Sequence, residues 1–353
     1  MLWRLSDTQS LSTASIIQQT KRTQFQMNNE IEIKRQAFFD DKRAWVTPCD
    51  NYDRDKVYKI IDDMTTSMGL DDLIFPGCTV VLKPNLVIKR RPEDATTTHP
   101  EVVGAVIRAV KKRGAGRVII AESGGGLYNR AVMSSSYNVC GITQVCEREG
   151  AKLNFDFSDI VIRHPNPVLC RQFNIITPAV ECDLLINLAK LKTHSMTGYS
   201  GAVKNIFGCV PGLMKPELHC QYPDSAQFQQ MIIDLNTLIK PTAVFIDAID
   251  CMEGDGPTGG NPRHVGALVC ALNPFAADIA ASRLINVDPK KIYMLSLAME
   301  QGLCPKDLSE VDLYGDPDSL AVSDFVQPKT KRVDFLDRVP KILRPFASVG
   351  EKV

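Results

Sequence analysis

The segment Lys190–His219, KLKTHSMTGYSGAVKNIFGCVPGLMKPELH, gathers four lysines, two histidines and four glycines behind the apolar run Leu184–Leu188. Such residues do a limited range of chemistry. Lysine ammonium groups hold anions or developing negative charge, and glycine turns offer backbone N–H groups for the same purpose. Histidine moves protons near neutral pH or ligates metals. With no long apolar face, the segment reads as a poor core element. It suits a loop lying over an anion at the carboxyl end of a sheet, where α/β folds place their ligands.

Three other strand ends share the design of an apolar run followed by polar or glycine-rich residues. They are Lys83-Pro84-Asn85, Glu122–Gly126 and Asp247–Gly260. In one parallel sheet these turns meet at one edge. There Gly124, Gly125, Ser200 and Gly201 would present backbone donors, and Lys83, Lys190, Lys192 and Lys204 would add charge. His194 and His219 are two of five histidines in the chain. His264 abuts the second glycine turn, His99 sits at a helix start, and His164 reads as structural. Of the carboxylates Asp247, Asp250, Glu253 and Asp255, Glu253 is the preferred functional member; their spacing does not match an EF-hand loop.

The elements that must position these residues follow from periodicity and punctuation. Strands are expected at Ala44–Thr47, 77–82, Arg117–Ala121, Leu184–Leu188, Thr242–Asp247 and Val265–Ala271. Helices are expected at Asp53–Met68, from Pro100 to near Gly114, at Gly141–Glu149, Phe228–Leu238 and Pro274–Leu284. The strand–helix–strand order from residue 77 to 121 is the βαβ pattern of a parallel sheet. Lys152–Phe155, Ile160–Ile162 and Phe173–Ile176 read as an inserted antiparallel unit.

The bulk numbers fit an ordinary globular chain. It has 353 residues, and Lys+Arg and Asp+Glu balance at 41 each, so neither nucleic acid nor a membrane surface is expected as a partner. The N-terminus lacks a signal-peptide pattern, and the expected compartment is the cytoplasm. The eleven cysteines include no C-x-x-C pair and read as reduced and structural. Cys209 and Cys220 are the two nearest the loop. Residues 1–38 read as a disordered segment or extension, and 326–353 as a basic tail.

VVLKPNLVIKRRPEDATTTHPEVVGAVIRAVKKRG (80–114) resembles the domain-of-unknown-function family 362. So do IIAESGG (119–125), Lys192-Thr193-His194, GYSGAVKNIFGCVPGLMK (198–215), Glu253–Pro257 and NPFAADI (273–279). Members of that family often carry a C-terminal segment for iron–sulfur clusters. No such cysteine run occurs here, so an iron–sulfur cluster is not expected, and any electron transfer would use a separate electron-transfer protein. More distantly, the order His194, Tyr199-Ser200-Gly201, Lys204, Pro211-Gly212, His219 is similar to the nickel-pincer lactate racemase family. That likeness implies His194 as proton carrier, Lys204 as cofactor anchor and His219 as metal ligand to a nickel-pincer-like cofactor. The racemases' second acid/base histidine falls near Gly124-Gly125, where this chain has none.

The expectation is therefore an α/β protein, two-lobed, with a mainly parallel sheet flanked by helices and a small inserted β unit, its domain covering residues 39–325. Its cleft would take an anionic small molecule. An oxidoreductase or a carbon-acid enzyme is the leading reading, with His194, Lys204 and Glu253 as catalytic candidates. Lys83, Asn85, Gly124, Gly125, Lys192, Ser200, Gly201 and Asn205 are the anion- or cofactor-binding candidates. A non-catalytic binding protein, or a metalloprotein using His219, is the alternative.

Overall fold

The computed structural model describes residues 39–329; the extension expected at 1–38 and the tail beyond 329 lie outside them. Eleven strands are described: β1 (Arg43–Pro48), β2 (Thr79–Pro84), β3 (Arg117–Ile120), β4 (Lys152–Leu153), β5 (Asp159–Arg163), β6 (Gln172–Ile176), β7 (Leu184–His194), β8 (Gly198–Ser200), β9 (Ala243–Glu253), β10 (Asn261–Ala271) and β11 (Asp312–Tyr314). Nine belong to one sheet of order β11-β1-β10-β9-β7-β2-β3-β4, with β8 folded back on β7. The run β9-β7-β2-β3-β4 is parallel, whereas β10 and β1 add antiparallel strands beyond β9. The fold is thus α/β with a mixed, mostly parallel sheet.

Alternation along the strands sends side chains to two apolar layers. Val80, Leu82, Ile186 and Leu188 meet the helices Arg54–Ser67 and Pro100–Lys112 on one face. Val81, Leu185, Ala189 and Leu191 meet Ser225–Ile239 and Pro274–Leu284 on the other. The helix starts follow local chemistry. Asp53 accepts from Lys56 N, and Pro100 sits at the first helical position behind His99, whose Nδ1 accepts from Glu101 N. Asn273 accepts from Phe275 N and Ala276 N.

Three local expectations need correction. The inserted antiparallel unit consists of β5 and β6 alone; Lys152–Leu153 instead edges the main sheet. The segment from Lys190 is not a loop at its start. β7 runs on to His194 and is buried up to Thr193, because Lys190 and Lys192 find oxygen partners inside the protein. A helix at Arg130–Val139 was not expected; its three serines hide the apolar period. Among the described residues no helix is long and apolar enough to cross a membrane.

Candidate functional site

A cavity of about 80 Å³ opens at the carboxyl ends of β2, β3 and β7. Its polar lining includes Asn85, Glu122, Ser123, Lys192, His194, Ser200, Lys204, Asn205 and Lys215; Val87, Phe207 and Pro257 supply apolar wall. Four stretches far apart in the chain therefore meet at one place.

Lys83 and Asn205 organise the floor. Lys83 is buried and pairs with the Glu122 carboxylate, and it also donates to Pro84 O (3.0 Å) and Asn205 Oδ1 (3.1 Å). Asn205 Oδ1 accepts as well from Asn85 Nδ2 at 2.9 Å, and Asn85 Oδ1 accepts from Lys192 Nζ at 3.0 Å. On its other side Asn205 Nδ2 donates to Asn187 Oδ1 (2.7 Å), and Asn187 Nδ2 donates to Ala202 O (2.8 Å). Every amide in this chain of contacts is used, which fixes the side chains before any ligand arrives.

The turn carrying Lys204 and Asn205 is held from a distant helix. Asp278, fully buried in Pro274–Leu284, accepts from Tyr199 OH (2.9 Å), Ala202 N (2.7 Å) and Val203 N (2.9 Å). A methyl group at Gly201 would lie 2.1 Å from Asp278 Oδ1, so this position takes glycine to let the carboxylate in. Gly201 thus shapes the turn from behind rather than lining the cavity. Burial raises Asp278 to about 7 even though its three donors favour the charged form.

The cavity is electrostatically demanding. Lys192 donates only to neutral oxygens, Asn85 Oδ1 and Thr96 O; burial and the neighbouring lysines hold it well below the usual lysine range. Lys215 donates to the carbonyls of Ser123, Gly124 and Val210, and burial lowers it to about 7. Burial, with Lys83 nearby, lowers Lys204 to about 8. Among the described residues the Lys204 ammonium makes no hydrogen bond; it lies 5.7 Å from the Phe207 ring. Ser123 is fully buried, and its Oγ also has no partner.

His194 Nδ1 accepts from two backbone donors, Met196 N (3.2 Å) and Thr197 N (3.3 Å). The neutral ring therefore carries its proton on Nε2. Burial, then Lys204 and Lys192, keep the ring neutral by holding it well below its usual range.

Other expected residues sit elsewhere. Lys190 turns to Asp247 (2.9 Å) and Tyr52 OH (3.0 Å) in a fully buried cluster. Glu253 accepts from Val326 N and faces Arg263, outside the cavity lining. His219 stacks on Phe228 at 4.2 Å and meets the edge of Phe207; burial lowers it to about 4. Among the described residues no three His, Cys, Asp or Glu side chains gather as a metal site. Gly125 lines the cavity, and Gly124 contributes its carbonyl to Lys215. His264 pairs with Asp250 at the surface, and Cys209 is buried with its thiol pushed up to about 12. Ser123, Lys215 and Asp278 were not singled out from sequence, and Tyr199 entered only within the turn Tyr199-Ser200-Gly201. The one available signal was that Lys215 and Asp278 stand inside segments already notable for their composition.

Comparisons with known proteins follow the same segments. The profile of the domain of unknown function DUF362 matches residues 80–283. The thylakoid-associated protein sll1697 of Synechocystis sp. is 29% identical over 282 residues, covering 78% of this chain and 84% of that protein. Among solved structures, the lactate racemase apoprotein of Thermoanaerobacterium thermosaccharolyticum aligns with 13% identity and a TM-score of 0.42. That alignment covers 69% of this chain and 58% of the racemase. A Thermotoga maritima protein aligns with 13% identity and a TM-score of 0.36, over 57% of this chain and 51% of its own.

Proposed function

We propose that the chain, which belongs to the DUF362 family, uses its lysine-lined cavity to bind an anionic small molecule and to stabilise negative charge on its oxygen. The observation that carries this reading is the Lys204 ammonium, which faces the cavity without a hydrogen-bond acceptor while every neighbouring lysine has one. An anion supplies the missing acceptor.

Lys204 and the Nε2–H of His194 would hold the negative charge of the bound oxygen. A neutral imidazole with its proton held on Nε2 donates a hydrogen bond well and accepts a proton there poorly, which favours a donor role over the proton-carrier role expected from sequence. His194→Gln keeps an N–H donor but cannot titrate. We expect it to retain sulfate affinity within about threefold, while His194→Phe loses about tenfold or more, the value of a charge-assisted hydrogen bond. Equal loss in both variants would count against the donor role.

The direct test uses sulfate, a dianion throughout the accessible pH range. Free Lys204 titrates at about 8, and a bound anion raises it. Below that pH the Lys204 ammonium is already present and adds no further pH dependence. Above it each binding event must take up a proton, so affinity falls as pH rises. Calorimetry at pH 9 in buffers of different ionisation enthalpy should show proton uptake approaching one per sulfate. Affinity that stays flat from pH 7.5 to 9.5 would remove Lys204 from the site.

The proposed compartment is the cytoplasm. The relative named as thylakoid-associated makes fractionation into soluble and membrane-bound pools the direct check.

A further inference from the structure

The charge inside the cavity and the character of its mouth narrow the ligand further; this step rests on the anion reading above. Three lysines, Lys192, Lys204 and Lys215, line the cavity, and its one carboxylate, Glu122, is matched by Lys83 behind it. Burial lowers all three lysines, and a dianion draws more of them into the charged form than a single charge does. The donors without an acceptor, Lys204 Nζ, Ser123 Oγ and His194 Nε2, come from two chain segments, Ser123 after β3 and the other two from Lys190–His219. Three donors on separate side chains suit several oxygens on one atom better than the flat edge of a single carboxylate.

The mouth has the opposite character. Val87 O accepts from Gly125 N at 3.1 Å, and Gly124 O accepts from Lys215 Nζ at 3.1 Å. Gly212 lies so close to Gly126 that a methyl group there would sit 2.0 Å from its carbonyl oxygen. These contacts join three loops around the opening. Each loop leaves a large apolar side chain in solvent: Ile88 is 44% exposed, Leu127 55% and Leu213 63%. Ile88 follows the lining residue Val87 in the chain, and Leu127 and Leu213 follow Gly126 and Gly212 at their point of contact. Clustered exposed side chains of this kind mark a binding surface more often than chance placement does.

We propose that the ligand is an amphiphile, with a phosphoryl-type dianion held by Lys204, Ser123 and His194 and an apolar arm lying over Leu127 and Leu213. Head and arm are tested separately on the full chain at pH 7.5, with inorganic phosphate and n-hexyl phosphate in parallel titrations. Hexyl phosphate should bind about tenfold tighter or more, the gain from covering part of a six-carbon arm. The double variant Leu127→Ser, Leu213→Ser should bind inorganic phosphate like the parent chain and lose most of the hexyl gain. Equal affinity for the two probes, or a hexyl gain that survives the double variant, overturns the amphiphile. Succinate binding with no phosphate binding overturns the phosphoryl head. If none of these anions binds, the anion reading itself fails.

Discussion

Asp247→Ala is expected to cost about 3–5 kcal/mol of stability, the penalty for stranding a buried charge. Lys190 and Asp247 are both fully buried, and no other carboxylate reaches that ammonium among the described residues. The carboxylate also accepts from Tyr52 OH (2.9 Å) and His99 N (2.9 Å), so its removal leaves several donors without a partner. A typical domain holds only about 5–15 kcal/mol in total, so the variant should unfold at much lower urea with an unchanged denaturant slope. Asp247→Asn separates charge from shape. It keeps the outline and part of the hydrogen bonding but leaves Lys190 uncompensated, and it should lose nearly as much. Replacing the pair together, Lys190→Met with Asp247→Leu, should recover a large part of the loss. A loss below about 1 kcal/mol in Asp247→Ala would show that water or a neighbour compensates the lysine, and that the cluster is not the anchor described here.

Lys204→Met should do the reverse. Sulfate affinity should fall about 10- to 100-fold, because a charge-assisted contact in a partly dry site is worth about 1.5–3 kcal/mol. Stability should hold or rise. The lysine is lowered by burial from 10.5 to about 8 in the folded chain, so below pH 8 folding carries the full cost of that charge. From pH 8 to 10.5 the folded chain has released this proton while the unfolded chain still holds it, so stability of the parent rises with pH and the advantage of methionine fades. Paired urea melts at pH 7 and pH 10 measure the sign, and titration with sulfate measures the affinity. If binding is unchanged while stability falls, Lys204 is a structural group and the cavity has lost its principal cation.

The contrast between these two lysines shows what the sequence could and could not convey. The strand ends were legible, since apolar runs that stop at Lys83, Glu122 and Lys190 need only local pattern. So were the helix starts at Asp53 and Pro100, where one capping residue decides. Which lysine does what was not legible. Lys190 and Lys192 stand two apart on the same strand face, but the partner of the first lies 57 residues away in β9, and that of the second 107 residues back at Asn85. General composition rules place lysine at the surface, and only long-range pairing reverses that for β7. Asp278 was hidden for the same reason. Within an alanine-rich helix it reads as one polar residue on a packed face, and its work is done on a turn 76 residues earlier. Glu253 misled in the opposite sense, because its glycine neighbour signals a turn without saying which way the carboxylate points.

The linked amides have a consequence of their own. Hydrogen bonds run in one sense from Lys192 to Asn85, Asn205, Asn187 and finally the carbonyl of Ala202. Reversing any one amide would set oxygen against oxygen or donor against donor at the next link. A neutral Lys192 amine still carries two N–H groups for its two acceptors, Asn85 Oδ1 and Thr96 O, so loss of its third proton leaves the relay as it stands. The terminal carbonyl of Ala202, which can only accept, pins the direction of every link, so the floor keeps one arrangement whatever charge the wall beside it carries.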